Sequence, residues 1–383
     1  MKRVFAAVLV WVLLAGCVPG ASAVELDVGG KSALLMDVAT GTVLYESNAH
    51  EKLAPASVTK VMTMLLIMEA IDSGKIGWDD TVTASETAAA KGGSQIYLKV
   101  GETMSVTDML KSIAVSSAND CACAMAEHLA GSESAFVDLM NARAKELGMN
   151  DTHFVNCTGL DDDPEAVNHR TSAHDIALMS RELLKNHPDI KKFTTIWMDT
   201  VRNGEFGLSN TNKMIRFYQG ATGLKTGFTS GAGYCLSATA EREGMELIAV
   251  VMGCETSQKR TAACKSMLDY GFANFALVSP DLTEQSTAVA VKLGKGKAVN
   301  AVLGESTQML IDKAQKSGIS SQVTLEEFVT APVSRGQRLG TLTIKAGEQI
   351  LSEVPLVAGE AVERLTWGDL FGMVLRRVAM AKE

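Results

Sequence analysis

Ser57-Val58-Thr59-Lys60, followed at once by the apolar run Val61 to Met68, restricts this chain more than any other feature. Pro55-Ala56 ahead of it marks a helix start, and a serine and lysine three residues apart share one face of that helix. The run behind them is apolar on every side, so the spacing predicts a helix buried in a core, with its first turn at Ser57. Two more strings follow in order, Ser117-Ala118-Asn119 and Lys225-Thr226-Gly227. A Ser-x-x-Lys arises roughly once by chance in a chain this long, and a fixed tripeptide in about one such chain in ten. The ordered trio, not any single string, is therefore the signal.

Together the three strings hold the parts of a serine acyl-transfer centre. A serine hydroxyl is a poor nucleophile until a base takes its proton, and the adjacent candidate, the Lys60 amine, ordinarily titrates near 10.4. It has to be made neutral, at roughly 4 kcal/mol for a displacement of about 3 pH units. Desolvation by the apolar helix and repulsion from a second cation, for which Lys225 is the candidate, can supply that. Lys225 would also attract an anionic substrate group. Ser117 offers a hydroxyl able to pass a proton to a leaving nitrogen, and Asn119 an amide for Lys60 or for substrate. Unpaired N–H groups at the helix start suit an oxyanion forming beside Ser57.

Around these strings, Cys121 to Leu129 reads as an Ala-rich helix. Lys225-Thr226-Gly227 reads as the start of a strand that continues to Ala240 and pairs with Met245 to Gly253 through a turn at Glu241 to Gly244. Gly227 then allows close backbone approach, and the Phe228 N–H is a second oxyanion donor.

On these residues the chain resembles the low-molecular-mass penicillin-binding proteins, the serine D-alanyl-D-alanine carboxypeptidases of peptidase family S11. The resemblance includes Ala33 to Gly41, Pro55-Ala56-Ser57, Ser117-Ala118-Asn119-Asp120, Thr152 to Asn156 with Gly159-Leu160, Asn210-Thr211-Asn212 and Gly223 to Thr229. It implies a β-lactamase/transpeptidase-like α/β (α+β) catalytic domain, an antiparallel sheet covered by helices, with a small C-terminal all-β domain. It further implies that Ser57 forms an acyl-ester with the penultimate D-Ala of a peptidoglycan stem peptide and expels the terminal D-Ala. Lys60 would accept the proton and Ser117 relay it. Asn119, Lys225, Thr226, Gly227 and Phe228 would bind substrate, and β-lactam antibiotics would inhibit. Some members carry His where this chain has Phe228, so only the backbone role of that position transfers.

The same trio serves class A β-lactamases, which add a glutamate for deacylation. Glu165, in Pro164-Glu165-Ala166-Val167-Asn168, is the available candidate, but Asn168 follows it by three residues rather than four. Asp161 to Glu165 reads better as a solvated acidic turn. A catalytically silent wall-binding scaffold is the reading from another class, and the intact trio speaks against it. The six histidines, among them His169, show no zinc spacing and read as core or surface residues. Lys91-Gly92-Gly93-Ser94 lacks a phosphate-loop glycine and reads as a loop near the cleft. Neither metal nor cofactor is expected. No arginine for a substrate carboxylate stands out among Arg202, Arg216 and Arg242.

Residues 1–23 join Lys2-Arg3, an apolar stretch from Val4 to Ala15 and Ala21-Ser22-Ala23, the pattern of a secretory signal peptide. Leu14-Ala15-Gly16-Cys17 also matches a lipoprotein box; Pro19-Gly20 favours cleavage after Ala23. Export to the outer face of the cytoplasmic membrane follows. The formal charge of −8 argues against nucleic acid as a partner. Cys121, Cys123, Cys235 and Cys254 sit in apolar helix or strand patterns and read as buried thiols rather than disulfides.

Residues 24–276 suit one catalytic domain. Residues 277–365 carry short alternating runs, such as Leu339 to Ile344 and Ile350 to Leu356, that indicate a β-rich module without catalytic residues. In residues 366–383, Trp367, Leu370, Phe371, Val374, Leu375 and Val378 form one apolar helical stripe beside Arg376 and Arg377. Such a helix packs on its own domain or lies in a membrane surface, and its place at the chain end favours the membrane.

Overall fold

Strands buried on both faces read as nearly continuous apolar runs, and this explains the patterns around Leu34 and Val250. The computed structural model describes residue 26 and residues 28–380, apart from 163, 280–281, 283–285 and 305–307. Strands β1 (Ser32–Asp37), β2 (Val43–Ser47), β3 (Ala221–Thr229), β4 (Gly233–Arg242) and β5 (Met245–Cys254) form a sheet in the order β2-β1-β5-β4-β3. All its pairings are antiparallel. Successive side chains take opposite faces. Leu34, Met36, Ile248, Val250 and Met252 enter one core, while Ala33, Leu35, Leu247, Ala249 and Val251 enter the other.

The first core is filled by α1 (Lys60–Asp72), α2 (Val106–Ser116), α3 (Asn119–Ala130) and α4 (Ala173–Asn186), the second by α5 (Ser257–Asn274). As its composition demands, α1 is buried almost all round, from Lys60 through Met68 except Leu66. The expected hairpin forms, β4 pairing with β5 across a turn at Glu243-Gly244, but its first strand is divided. Lys225-Thr226-Gly227 lies inside a separate strand, β3, which ends at Thr229, and a turn at 230–232 precedes β4. Gly231 and Gly233 break what the apolar residues alone suggested was one strand.

The second sheet is built from β6 (Ala288–Lys292), β7 (Ala298–Leu303), β8 (Ile319–Leu325), β9 (Phe328–Thr330), β10 (Arg338–Ala346) and β11 (Gln349–Ala358), in the order β8-β10-β11-β7-β6-β9. Its own core contains Val289, Val299, Leu339, Leu342, Val354 and Leu356. The pairing of β6 with β9 is parallel; the others are antiparallel. A final helix, α6 (Trp367–Met380), leaves Trp367 88%, Phe371 68% and Val374 60% exposed, so these side chains do not pack on the domain beside them. Among the described residues no helix is long and apolar enough to cross a membrane. The expected leader, residues 1–23 with Cys17, lies outside the described residues.

Burial of free thiols is general among the described cysteines. Cys157 and Cys264 are free and buried along with Cys121, Cys123, Cys235 and Cys254.

Candidate active site

The turn that carries Ser57 is tighter than expected. Ala56–Thr59 is a 3-10 helix, and α1 begins only at Lys60. Ser57 remains half-buried while Lys60 is fully enclosed. The Lys60 Nζ lies 2.9 Å from Ser57 Oγ and donates to the Thr158 carbonyl, also at 2.9 Å. Burial lowers the Lys60 pKa to about 7, against a smaller upward pull from Cys157 and Asp120. An amine poised there can take a proton from Ser57 at neutral pH.

Ser117 caps the C-terminus of α2 in the left-handed region, with φ 63°. Its hydroxyl is buried without a hydrogen-bond partner, so it makes no hydrogen bond to Lys60. Of the two partners open to Asn119, Lys60 and a substrate amide, Lys60 is not met. The Asn119 Nδ2 donates to the Gly92 carbonyl at 2.7 Å, and its Oδ1 is buried and unpartnered. The loop Lys91 to Ser94 does border the site, since Ser94 O accepts the Asn119 N–H at 2.7 Å. The Asp120 carboxylate ties the rest of that loop to α3 by accepting from the N–H groups of Ile96 and Leu98, at 3.1 and 3.0 Å.

The third wall is β3, the edge strand of the sheet. A Cβ on Gly227 would come within 2.7 Å of the Pro55 carbonyl and 3.1 Å of the Ser57 nitrogen. Only glycine lets the strand press against the nucleophile turn. Thr226 Oγ1 donates to Thr211 Oγ1 at 2.6 Å. Phe228 projects outward, 53% exposed, with its ring 4.3 Å from that of Tyr234. Lys225 is buried, and its Nζ donates to the neighbouring Thr226 carbonyl at 2.9 Å. Burial first, then the positive charges of Lys60 and Arg260, hold its pKa well below the usual lysine range. Desolvation is the chief cause at Lys60 as well, and because repulsion between two amines is mutual, each charge disfavours the other.

Sequence reasoning missed two contributors. Thr158 supplies the carbonyl that steadies Lys60, in a turn organised by Asn156, whose Oδ1 accepts from the N–H groups of Thr158 and Gly159 at 3.2 and 2.7 Å. The Asn-x-x-Gly spacing signalled a turn but not what the turn holds. Arg260, on α5, reaches the carbonyls of Gly227 and Cys235 at 3.4 Å and leaves Nε buried and unpartnered. The arginines weighed from sequence are engaged elsewhere: Arg202 Nε on Glu102 at 2.6 Å, Arg216 over Trp197, and Arg242 over Tyr218. Glu165 is exposed on a 3-10 turn, Pro164–Asn168, and lines a cavity of about 540 Å³ with Lys91, Asn156 and Thr158.

The chain shares 43% identity over 376 residues with the D-alanyl-D-alanine carboxypeptidase DacF of Bacillus subtilis, covering 95% of each chain. With the D-alanyl-D-alanine carboxypeptidase DacC of Escherichia coli it shares 35% over 367 residues, 92% of this chain and 88% of the other. Penicillin-binding protein 5 from Haemophilus influenzae superposes with a TM-score of 0.76 at 28% identity, over 89% of this chain and 99% of the other. Penicillin-binding protein D2 from Listeria monocytogenes, in its ampicillin-bound form, matches 65% of this chain and 99% of its own with a TM-score of 0.59 at 34% identity. Residues 277–364 match the C-terminal domain of penicillin-binding protein 5. With residues 20–256 matching the peptidase S11 family, D-alanyl-D-alanine carboxypeptidase, and with the serine, lysine and edge strand placed as described, this chain belongs to the S11 D-alanyl-D-alanine carboxypeptidases.

Proposed function

We propose that Ser57 removes the terminal D-Ala from peptidoglycan stem peptides by way of an acyl-enzyme. Lys60 takes the hydroxyl proton as Ser57 Oγ attacks the carbonyl of the penultimate D-Ala. The oxyanion is held by the N–H groups of Ser57 and Phe228. The proton then passes through Ser117 to the amide nitrogen, the C–N bond breaks, and D-Ala leaves. Water attacks the ester and releases a peptide shortened by one residue. Lys225, Thr226 and Arg260 receive the substrate carboxylate, Asn119 Oδ1 accepts from a substrate amide, and Gly227 keeps β3 close enough for these contacts. β-Lactams acylate the same serine.

The observation that carries this reading is the fully buried amine of Lys60, lowered to about 7 and 2.9 Å from Ser57 Oγ. Incubation with a labelled penicillin and with diacetyl-Lys-D-Ala-D-Ala tests it. Label on Ser57 with release of D-Ala, both lost in Ser57→Ala, is the expected result. Rapid penicillin turnover without D-Ala release would make the chain a lactamase, and no label at all would make it a scaffold.

The reading extends to the whole chain. Residues 1–23 export it, 24–276 act on the wall peptide, 277–365 are a spacer, and 366–383 rest on the outer face of the cytoplasmic membrane. The exposed rings of Trp367 and Phe371 support the last assignment.

A further inference from the structure

His169 is a buried titratable side chain that the steps above do not use. Its Nδ1 accepts the Val155 N–H at 3.2 Å. A ring nitrogen that accepts carries no proton, so the proton belongs on Nε2. Nε2 lies 2.8 Å from Thr59 Oγ1 and donates to it. That hydroxyl passes its own hydrogen to the Ala56 carbonyl, at 2.8 Å. A directional chain thus runs from Val155 through His169 and Thr59 to the carbonyl of the residue before the nucleophile. Burial holds the imidazole neutral, with its pKa lowered to about 4 and His153 and Arg170 adding to the effect.

The Ala56 carbonyl is confined from another direction as well. A Cβ on Gly159 would fall 1.8 Å from it, so the bare Cα of Gly159 sits against that oxygen. Ala56 itself adopts φ 48°, a left-handed backbone that a residue with a Cβ takes up only under constraint. A peptide unit is planar and trans, with its C=O and N–H pointing in opposite directions. Fixing the Ala56 carbonyl therefore fixes the direction of the Ser57 N–H.

We propose that His169 is a positioning residue for the oxyanion hole: acting through Thr59, it clamps the Ala56 carbonyl and so aims the Ser57 N–H at the developing oxyanion. This rests on the reading that Ser57 is the nucleophile. Such an effect appears in the rate of the chemical step and not in the affinity of the first, non-covalent complex.

The test measures penicillin acylation, separating the acylation rate constant from the initial dissociation constant, in His169→Leu, His169→Gln and Thr59→Val. His169→Leu and Thr59→Val should each slow acylation by about 10- to 100-fold with the dissociation constant unchanged. The double variant should be no slower than the worse single one. His169→Gln places an amide N–H near the former Nε2 and should recover most of the rate. If His169→Leu does not fold, Thr59→Val breaks the same chain with the imidazole in place. Normal acylation rate constants in folded His169→Leu or Thr59→Val, with only a lowered melting temperature, would overturn the inference. Failure of the wild type to label at Ser57 would instead overturn the reading beneath it.

Discussion

Acylation should follow the protonation of Lys60. Burial takes this amine from 10.5 to about 7, a displacement worth about 5 kcal/mol at about 1.4 kcal/mol per pH unit. About 1% of the enzyme then holds the free amine at pH 5, about half at pH 7 and nearly all at pH 9. Stopped-flow acylation by a fluorescent penicillin well below saturation, which reports the free enzyme, should accelerate about 50-fold between pH 5 and 7 and no more than about twofold beyond. Stability carries the same signature. The unfolded chain keeps this proton up to the ordinary lysine range while the folded chain releases it near 7, so in between the unfolded state binds more protons and stability rises with pH. Below pH 7 the full cost of the buried ammonium is present. Lys60→Met keeps the side-chain length without the charge. It should abolish acylation yet be more stable than the wild type at pH 6 by up to about 5 kcal/mol, an advantage that shrinks toward pH 9. A profile that is flat from pH 5 to 9 or inflects near 10 refutes the reasoning, and so does a Lys60→Met advantage that ignores pH.

Gly227→Ala places a methyl 2.7 Å from the Pro55 carbonyl; we expect acylation to fall about 100-fold in a still-folded protein, and near-normal labelling would show that strand and turn need not touch. Arg260→Leu should raise KM for the D-Ala-D-Ala peptide about 10-fold or more while leaving an amide-capped analogue unaffected; equal losses on both would deny it the carboxylate. Thiol titration of the mature protein without reductant should find six thiols after denaturation and almost none before, and a lower total would reveal a disulfide. Removing residues 366–383 should move the protein from the membrane to the soluble fraction, and continued retention would count against the anchor.

What the sequence reveals is set by range. Ser57 and Lys60 are one turn apart, so their contact follows from helix geometry, and the apolar run after them announces the burial that lowers the amine. The continuous apolar runs of β1 and β5 and the stripe from Trp367 to Val374 are local patterns too. Thr158 and Arg260 have no such signature. Thr158 acts through a backbone carbonyl, which any residue could offer, and its distance from Lys60 is closed by tertiary packing, with Gly159 against Ala56 and the Thr63 hydroxyl donating to the Cys157 carbonyl. Arg260 lies on a helix across the sheet from the core around α1, in a stretch that reads as an ordinary covering helix. The strand error around Phe228 has a similar origin: the turn at 230–232 lies between two apolar runs whose residues alone could continue one strand.

Three basic side chains gather at this site, Lys60, Lys225 and Arg260, and among the described residues no carboxylate is ion-paired or hydrogen-bonded to any of them. Three buried polar atoms beside them, on Ser117, Asn119 and Arg260, have no hydrogen-bond partner. Leaving such groups unsatisfied costs about 1–3 kcal/mol apiece, a cost that a ligand carrying both a carboxylate and an amide can relieve. On the proposed reading, that carboxylate also favours the charged form of Lys225, which burial and the charges of Lys60 and Arg260 otherwise oppose.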